Sequence, residues 1–189
     1  VMPFDPQDGD LAAHVRYWGS WVLERARAEL SPYYPTINKQ PTVAYLWART
    51  VPCPDPACGA EVPLLKTLWL CKKEDKRRAL RLVPDPAAHR VNFKIWTPDP
   101  NDEVPPGTMA GAKSRCPVCG VNLTPEYTKE CGQMGKMGAR MTCVVVDTGH
   151  GKEYRLPTLD DEEAAQDAAG PLPEAAAQIP YGLPTELQE

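Results

Sequence analysis

Two short stretches decide how this chain is read: Cys53-Pro54-Asp55-Pro56-Ala57-Cys58-Gly59 and Cys116-Pro117-Val118-Cys119-Gly120. Each carries Pro directly after its first cysteine and Gly directly after its second. Pro restricts φ at the first turn position. Gly admits a positive φ, which lets backbone amides approach the sulfurs. Two thiolates on such a turn can point at one cation about 2.3 Å away, and two such turns close a tetrahedral four-sulfur site. The candidate metal ligands are therefore Cys53, Cys58, Cys116 and Cys119, with Zn2+ as the expected ion. A closed site of this kind has no open coordination position, so it supports folding rather than catalysis. An iron–sulfur cluster also takes four cysteines. Disulfides would use them too, but the total of seven is odd and no secretory leader opens the sequence. A redox Cys-x-x-Cys needs a single motif in a βαβ setting, not a matched pair.

Working outward, 57 residues separate Cys58 from Cys116. Strands expected at 62–72, 78–83 and 91–96 fill this interval as an antiparallel meander, whose ends the metal would pin. Further strands are expected at 42–48, 141–147 and 153–156. Residues 10–30 read as a helix. Asp10 is its N-cap, and Leu11, Val15, Trp18, Val22, Ala26 and Leu30 form one apolar stripe. Ser31-Pro32 ends it. Residues 158–169 read as a short acidic helix, and 171–189 as a Pro-rich, disordered tail. The expected fold class is α+β: a zinc-ribbon-like antiparallel sheet with an N-terminal helix and a short acidic C-terminal helix. Its divisions are 1–40 (helix and linker), 41–157 (ribbon domain), 158–170 (acidic helix) and 171–189 (tail).

Composition narrows the classes. The chain has 189 residues, a net charge of −4, 42% hydrophobic and 24% charged residues, and 22 prolines. No apolar run reaches the ~18 residues that would span a bilayer, so a cytoplasmic protein is expected. The charge is unevenly spread: residues 61–140 hold 14 basic and 9 acidic side chains, and residues 141–189 hold 2 and 10. The basic middle contains Lys72, Lys73, Lys76, Arg77, Arg78 and Arg81. A second group is Lys113, Arg115, Lys129, Lys136 and Arg140, the last two in the glycine-punctuated stretch Gly132-Gln133-Met134-Gly135-Lys136-Met137-Gly138-Ala139-Arg140. Exposed amides and cations together suit phosphate contact. The candidate nucleic-acid contacts are Lys72, Lys73, Lys76, Arg77, Arg78, Lys136 and Arg140. Basic turns are also common as merely solvated turns.

Other residues read more plainly. Cys71, Cys131 and Cys143 lack partners at short spacing and are expected to be small buried hydrophobes. His14, His89 and His150 have no ligand spacing to either knuckle and are expected at the surface. Trp47, Trp69 and Trp96 fall in expected strands, where a core role outweighs base stacking. No P-loop, no Rossmann glycine motif and no nucleophile elbow is present. The chain thus supplies neither a cofactor cradle nor an activated nucleophile.

A longer series of words, in order, resembles one family. The words are Val15-Arg16-Tyr17-Trp18-Gly19-Ser20-Trp21-Val22, Tyr33-Tyr34-Pro35 and Tyr45-Leu46-Trp47-Ala48-Arg49-Thr50-Val51-Pro52-Cys53-Pro54. Cys58-Gly59-Ala60-Glu61-Val62-Pro63-Leu64 and Trp69-Leu70-Cys71-Lys72-Lys73 follow. The second knuckle, Gly135-Lys136-Met137-Gly138-Ala139-Arg140 and Tyr154-Arg155-Leu156-Pro157-Thr158 complete the series. Together they resemble the central segment of adenine-specific DNA methylases containing a zinc ribbon, over most of residues 15–163. The resemblance implies an insertion between the two halves of a Rossmann-like, S-adenosylmethionine-dependent methyltransferase. In that family the cofactor motif lies upstream and the D/N-P-P-Y/F motif downstream. Neither is in this chain, so S-adenosylmethionine belongs to the parent enzyme and is not bound here. DNA and the remaining methyltransferase lobes are the implied partners. The alternative is a structural or protein-interaction zinc ribbon with no nucleic-acid role. Only the four knuckle cysteines carry over as site residues. The first knuckle has four residues between its cysteines where two is commoner, and Asp55-Pro56 accommodates the wider turn.

Overall fold

The computed structural model describes residues 10–37 and 40–169. The expected tail at 171–189 lies outside the described residues. The fold is α+β, with three α-helices and a mostly antiparallel sheet. The chain divides into two units. Among the described residues, one comprises 10–36 and 160–169, the other 37 and 40–159.

In the first unit, α1 (Leu11–Leu30) begins where the Asp10 carboxylate accepts from the Ala12 amide, at 3.1 Å. That side chain satisfies one of the donors every helix start leaves open. The Ser31–Tyr33 3-10 turn follows, with Pro32 inside it. No residue of α1 is buried: Val15 is 64% exposed and Val22 57%. The amphipathic stripe is therefore present and uncovered. At the chain's other end, α3 (Leu159–Ala169) carries Asp160, Asp161 and Glu162 in its first turn, where the helix dipole favours negative charge. α2 belongs to the second unit and is described with the metal centre.

The second unit is built on the strands β1 (Thr36–Ile37), β2 (Gln40–Pro52), β3 (Glu61–Leu64), β4 (Trp69–Cys71), β5 (Arg78–Asp85), β6 (Arg90–Trp96), β10 (Gly138–Asp147) and β11 (Lys152–Arg155). Their order is β11-β10-β2-β3-β6-β5-β4, with β1 paired to β2. A separate small sheet holds β7 (Met109–Ala110), β8 (Lys113–Arg115) and β9 (Asn122–Leu123). The long partners β2 and β10 run antiparallel with Arg140 opposite Ala48 and Val144 opposite Tyr45. On β2 the small residues Thr42, Ala48 and Thr50 face inward and are buried, whereas Val43, Trp47 and Arg49 face out. Period-two alternation therefore places Trp47 outside, 48% exposed, contrary to the core role expected for it.

The meander expected between the knuckles forms only in part. β4, β5 and β6 are antiparallel neighbours, but the expected strand 62–72 is broken in two. Thr67 interrupts it: its hydroxyl accepts from the Trp69 amide at 3.2 Å, and its backbone bridges to Pro106. Downstream, Thr108 fastens the detour, accepting from the Leu65 amide at 2.9 Å and donating to the Pro63 carbonyl. Gly107 is packed so closely that a Cβ there would lie 2.0 Å from the Leu65 carbonyl oxygen. β3 then pairs with β6 in parallel, through Glu61 and Arg90.

The two ends of the sheet meet. Arg78 of β5 pairs with Glu153 of β11 at 3.1 Å, and the Lys76 ammonium donates to the His150 carbonyl at 2.9 Å. Two apolar clusters fill the unit. One contains Leu68, Leu80 and Phe93; the other contains Val51, Ala60, Val62 and Leu123 with four of the cysteines.

Candidate metal centre

Both knuckles close in the same way. The amide of the first cysteine donates to the carbonyl two residues past the second: Cys53 to Ala60 at 2.8 Å, and Cys116 to Val121 at 2.9 Å. Between them, Asp55 shapes the wider first turn. Its carboxylate accepts from the Ala57 amide at 3.0 Å, and its carbonyl from the Cys58 and Gly59 amides at 3.0 and 2.9 Å. Gly59 has φ +54° and Gly120 +81°, the left-handed conformation expected after each second cysteine.

The turns bring four thiols together. The sulfurs of Cys53, Cys58, Cys116 and Cys119 all lie within 4.8 Å of one another. The short approaches cross between knuckles: Cys53 to Cys119 is 3.5 Å and Cys58 to Cys116 is 3.9 Å. A tetrahedron with 2.3 Å metal–sulfur bonds has edges of about 3.8 Å. A disulfide would need about 2.05 Å. The donor set and its spacing therefore fit a single thiolate-bound metal ion. Cys53, Cys58 and Cys116 are buried and Cys119 is exposed.

Electrostatics differ among the four thiols. Burial pushes the Cys53 thiol up, and the neighbouring sulfurs add to it. The Cys119 thiol is lowered, first by a hydrogen bond from the Val121 backbone. That amide is the one the positive-φ glycine frees to approach sulfur. Such donors stabilise thiolates and are the usual support around a metal-bound sulfur.

Sequence reasoning missed the element that packs behind the site. Helix α2 (Pro125–Gln133) starts where the Thr124 hydroxyl accepts from the Tyr127 amide at 3.2 Å. Thr at the N-cap followed by Pro at the first helical position was the available signal. From α2, Cys131 is 2% exposed in the cluster with the knuckle cysteines. The Tyr127 hydroxyl donates to the Pro52 carbonyl at 3.0 Å, and burial pushes its pKa up to about 12. His89 is exposed, as expected, yet its Nδ1 hydrogen-bonds the Cys58 carbonyl, so the β5–β6 turn braces the first knuckle. Cys143 is fully buried as expected, whereas Cys71 is only half-buried.

The candidate nucleic-acid contacts separate into two sets. Lys72, Lys73 and Lys136 are exposed and Arg77 is half-buried. Lys136 lines an open cleft with Thr50, Glu61 and Gly138. Lys76, Arg78 and Arg140 have partners within the chain. Lys76 and Arg78 close the seam of the sheet. Arg140 donates to the Val91 carbonyl and lies 5.1 Å over the Phe93 ring. Among the described residues no helix is long and apolar enough to cross a membrane.

These features define an α+β protein with a four-cysteine cluster suited to a structural metal ion. No protein-family model, curated protein or solved structure matches the chain.

Proposed function

We propose that this chain is a zinc-ribbon segment of an S-adenosylmethionine-dependent, adenine-specific DNA methyltransferase, and that it contributes DNA contacts without being catalytic itself. The observation that carries the reading is the convergence of four thiols from two knuckles at tetrahedral spacing. The ordered words resembling the methylase segment supply the parent. Cys53, Cys58, Cys116 and Cys119 would hold the zinc, which adds folding energy to the knuckle end of the sheet. Lys72, Lys73, Arg77 and Lys136 track backbone phosphates, while the parent's other lobes flip and methylate the base.

The test uses the purified full chain. Elemental analysis returns one zinc per chain; iron with acid-labile sulfide in its place overturns the metal assignment. Duplex DNA binding is followed by fluorescence anisotropy. With four phosphate contacts, affinity falls on the order of 100-fold between about 50 and 200 mM salt. No binding at about 50 mM salt removes the DNA role.

A second reading is favoured by one observation: Lys76, Arg78 and Arg140 are already held by the chain's own groups. Under it, the ribbon is a brace or interaction module. Charge reversal at Lys72, Lys73 and Arg77 in the intact parent decides. Unchanged methylation selects the brace, and lost DNA affinity selects the contact role.

A further inference from the structure

Trp69, Ala79 and Trp96 lie directly opposite one another on β4, β5 and β6. Opposed residues of antiparallel neighbours share a face. This face is the outer one, because Leu80 and Phe93, pointing the other way, belong to the apolar cluster. Both indoles are half-buried, and they flank Ala79, which is fully covered. Two residues further along the same face, Arg81 stands opposite Lys94, and both are exposed. Arg81 lies 4.5 Å over the Trp96 ring, and the Lys72 ammonium lies 5.8 Å over the Trp69 ring. The carboxylate on this face of β5 is Asp85, at the far end and opposite Arg90.

Packing takes up part of each indole, including the buried Nε1 of Trp96, and the rest of each residue stays accessible on the outer face of three strands. Their spacing has a physical meaning: two strand separations put the rings roughly 10 Å apart. Each carries a cation that can leave the ring for a phosphate while a base takes its place. Sheet-borne aromatics flanked by cations are a general way to hold unpaired nucleic acid, since every base offers a π face. Duplex bases are stacked on each other and offer no such face.

We infer that the outer face of β4–β5–β6 is a base-stacking platform for an unpaired DNA strand, with Trp69 and Trp96 under the bases and Lys72, Arg81 and Lys94 on the phosphates. This inference rests on the DNA-contact reading above and adds to it a strand state and a surface. It also reverses the core role expected for these two tryptophans.

The test titrates the zinc-loaded full chain with a fluorescein-labelled oligo-dT of about 12 nucleotides and with an abasic strand of equal charge. The expected result is roughly tenfold tighter binding of oligo-dT, with quenching of indole fluorescence. Trp69→Leu and Trp96→Leu each weaken oligo-dT binding roughly tenfold and leave the abasic strand unaffected. Equal affinity for the two strands on the unaltered chain overturns the platform, and this holds even if a variant fails to fold. Folded Trp variants that bind oligo-dT as the unaltered chain does also overturn it. If duplex binds with strong salt dependence and oligo-dT shows no advantage over the abasic strand, the platform falls and the phosphate-tracking role stands. If oligo-dT binds by the tryptophans and duplex does not bind, the platform stands and the duplex role falls.

Discussion

Removal of the metal should lower stability by an amount the chain's own geometry sets. The two cross-knuckle sulfur pairs join positions 58 and 66 residues apart. One tetrahedral ion at the four sulfurs would tie both pairs at once, so a single loop would be closed. Closing a loop of that length removes about 4 kcal/mol of chain entropy from the unfolded state. Structural zinc sites reach about 10–16 kcal/mol of apparent binding energy, which bounds the effect from above. For a unit of this size about 1 kcal/mol shifts the melting temperature by roughly 4 °C, so the floor is a drop of roughly 15 °C. The assay is scanning calorimetry with and without excess chelator. A chromogenic chelator counts the metal released after thiol modification. Hydrogen exchange should localise the change to 53–62 and 114–133, where the knuckles and α2 pack, and spare β5 and β6, whose cluster is separate. A Cys58→Ser/Cys116→Ser double variant melting with the unaltered chain would refute the argument.

Three further outcomes follow from particular contacts. Gly107→Ala would set a Cβ 2.0 Å from the Leu65 carbonyl oxygen, and because that neighbour is backbone it should cost about 3 kcal/mol in urea unfolding, metal present or not. Burial pushes the Cys143 thiol from 9.0 up to about 12, so the folded thiol stays protonated while the unfolded one ionises. The stability from that difference is complete below pH 9 and is lost as pH rises toward 12. At pH 10.5 the loss is about 2 kcal/mol relative to pH 8, and Cys143→Ala should flatten that part of the slope in paired unfolding curves. The Arg78–Glu153 pair is partly exposed, with side chains 26% and 39% accessible. A double-mutant cycle should return about 0.5–1 kcal/mol of coupling that shrinks with salt; zero coupling would mean the seam is held by other groups.

The knuckles were legible because their Pro and Gly positions serve a local purpose: each glycine adopts the positive φ that its turn requires. The α1 start was legible for the same reason, through Asp10. Long-range pairing was not. Nothing local in 62–72 says that Thr67 leaves the strand to meet Pro106, because the partner lies 39 residues away. The small sheet β7–β9 consists of two- and three-residue strands, too short to show alternation. Helix α2 is nine residues long and contains Gly132, which hid its periodicity, although Thr124-Pro125 marked its start. Trp47 departs from the core role expected for it because strand membership alone does not say which face a residue takes. Register decides that, and on β2 the small residues claim the inside.

The way Arg78 and Lys76 tie the β4–β5 end of the sheet to Glu153 of β11 and to the turn before it limits how other molecules can join it. A sheet with a bare rim invites a visiting strand to lengthen the ladder. Here Arg78 and Lys76 span the place where such a visitor would enter. A molecule docking on this sheet would thereby be steered away from backbone zippering and onto the chemistry displayed by the wall, where replacing surface residues would change what is held while the scaffold beneath stays as it is.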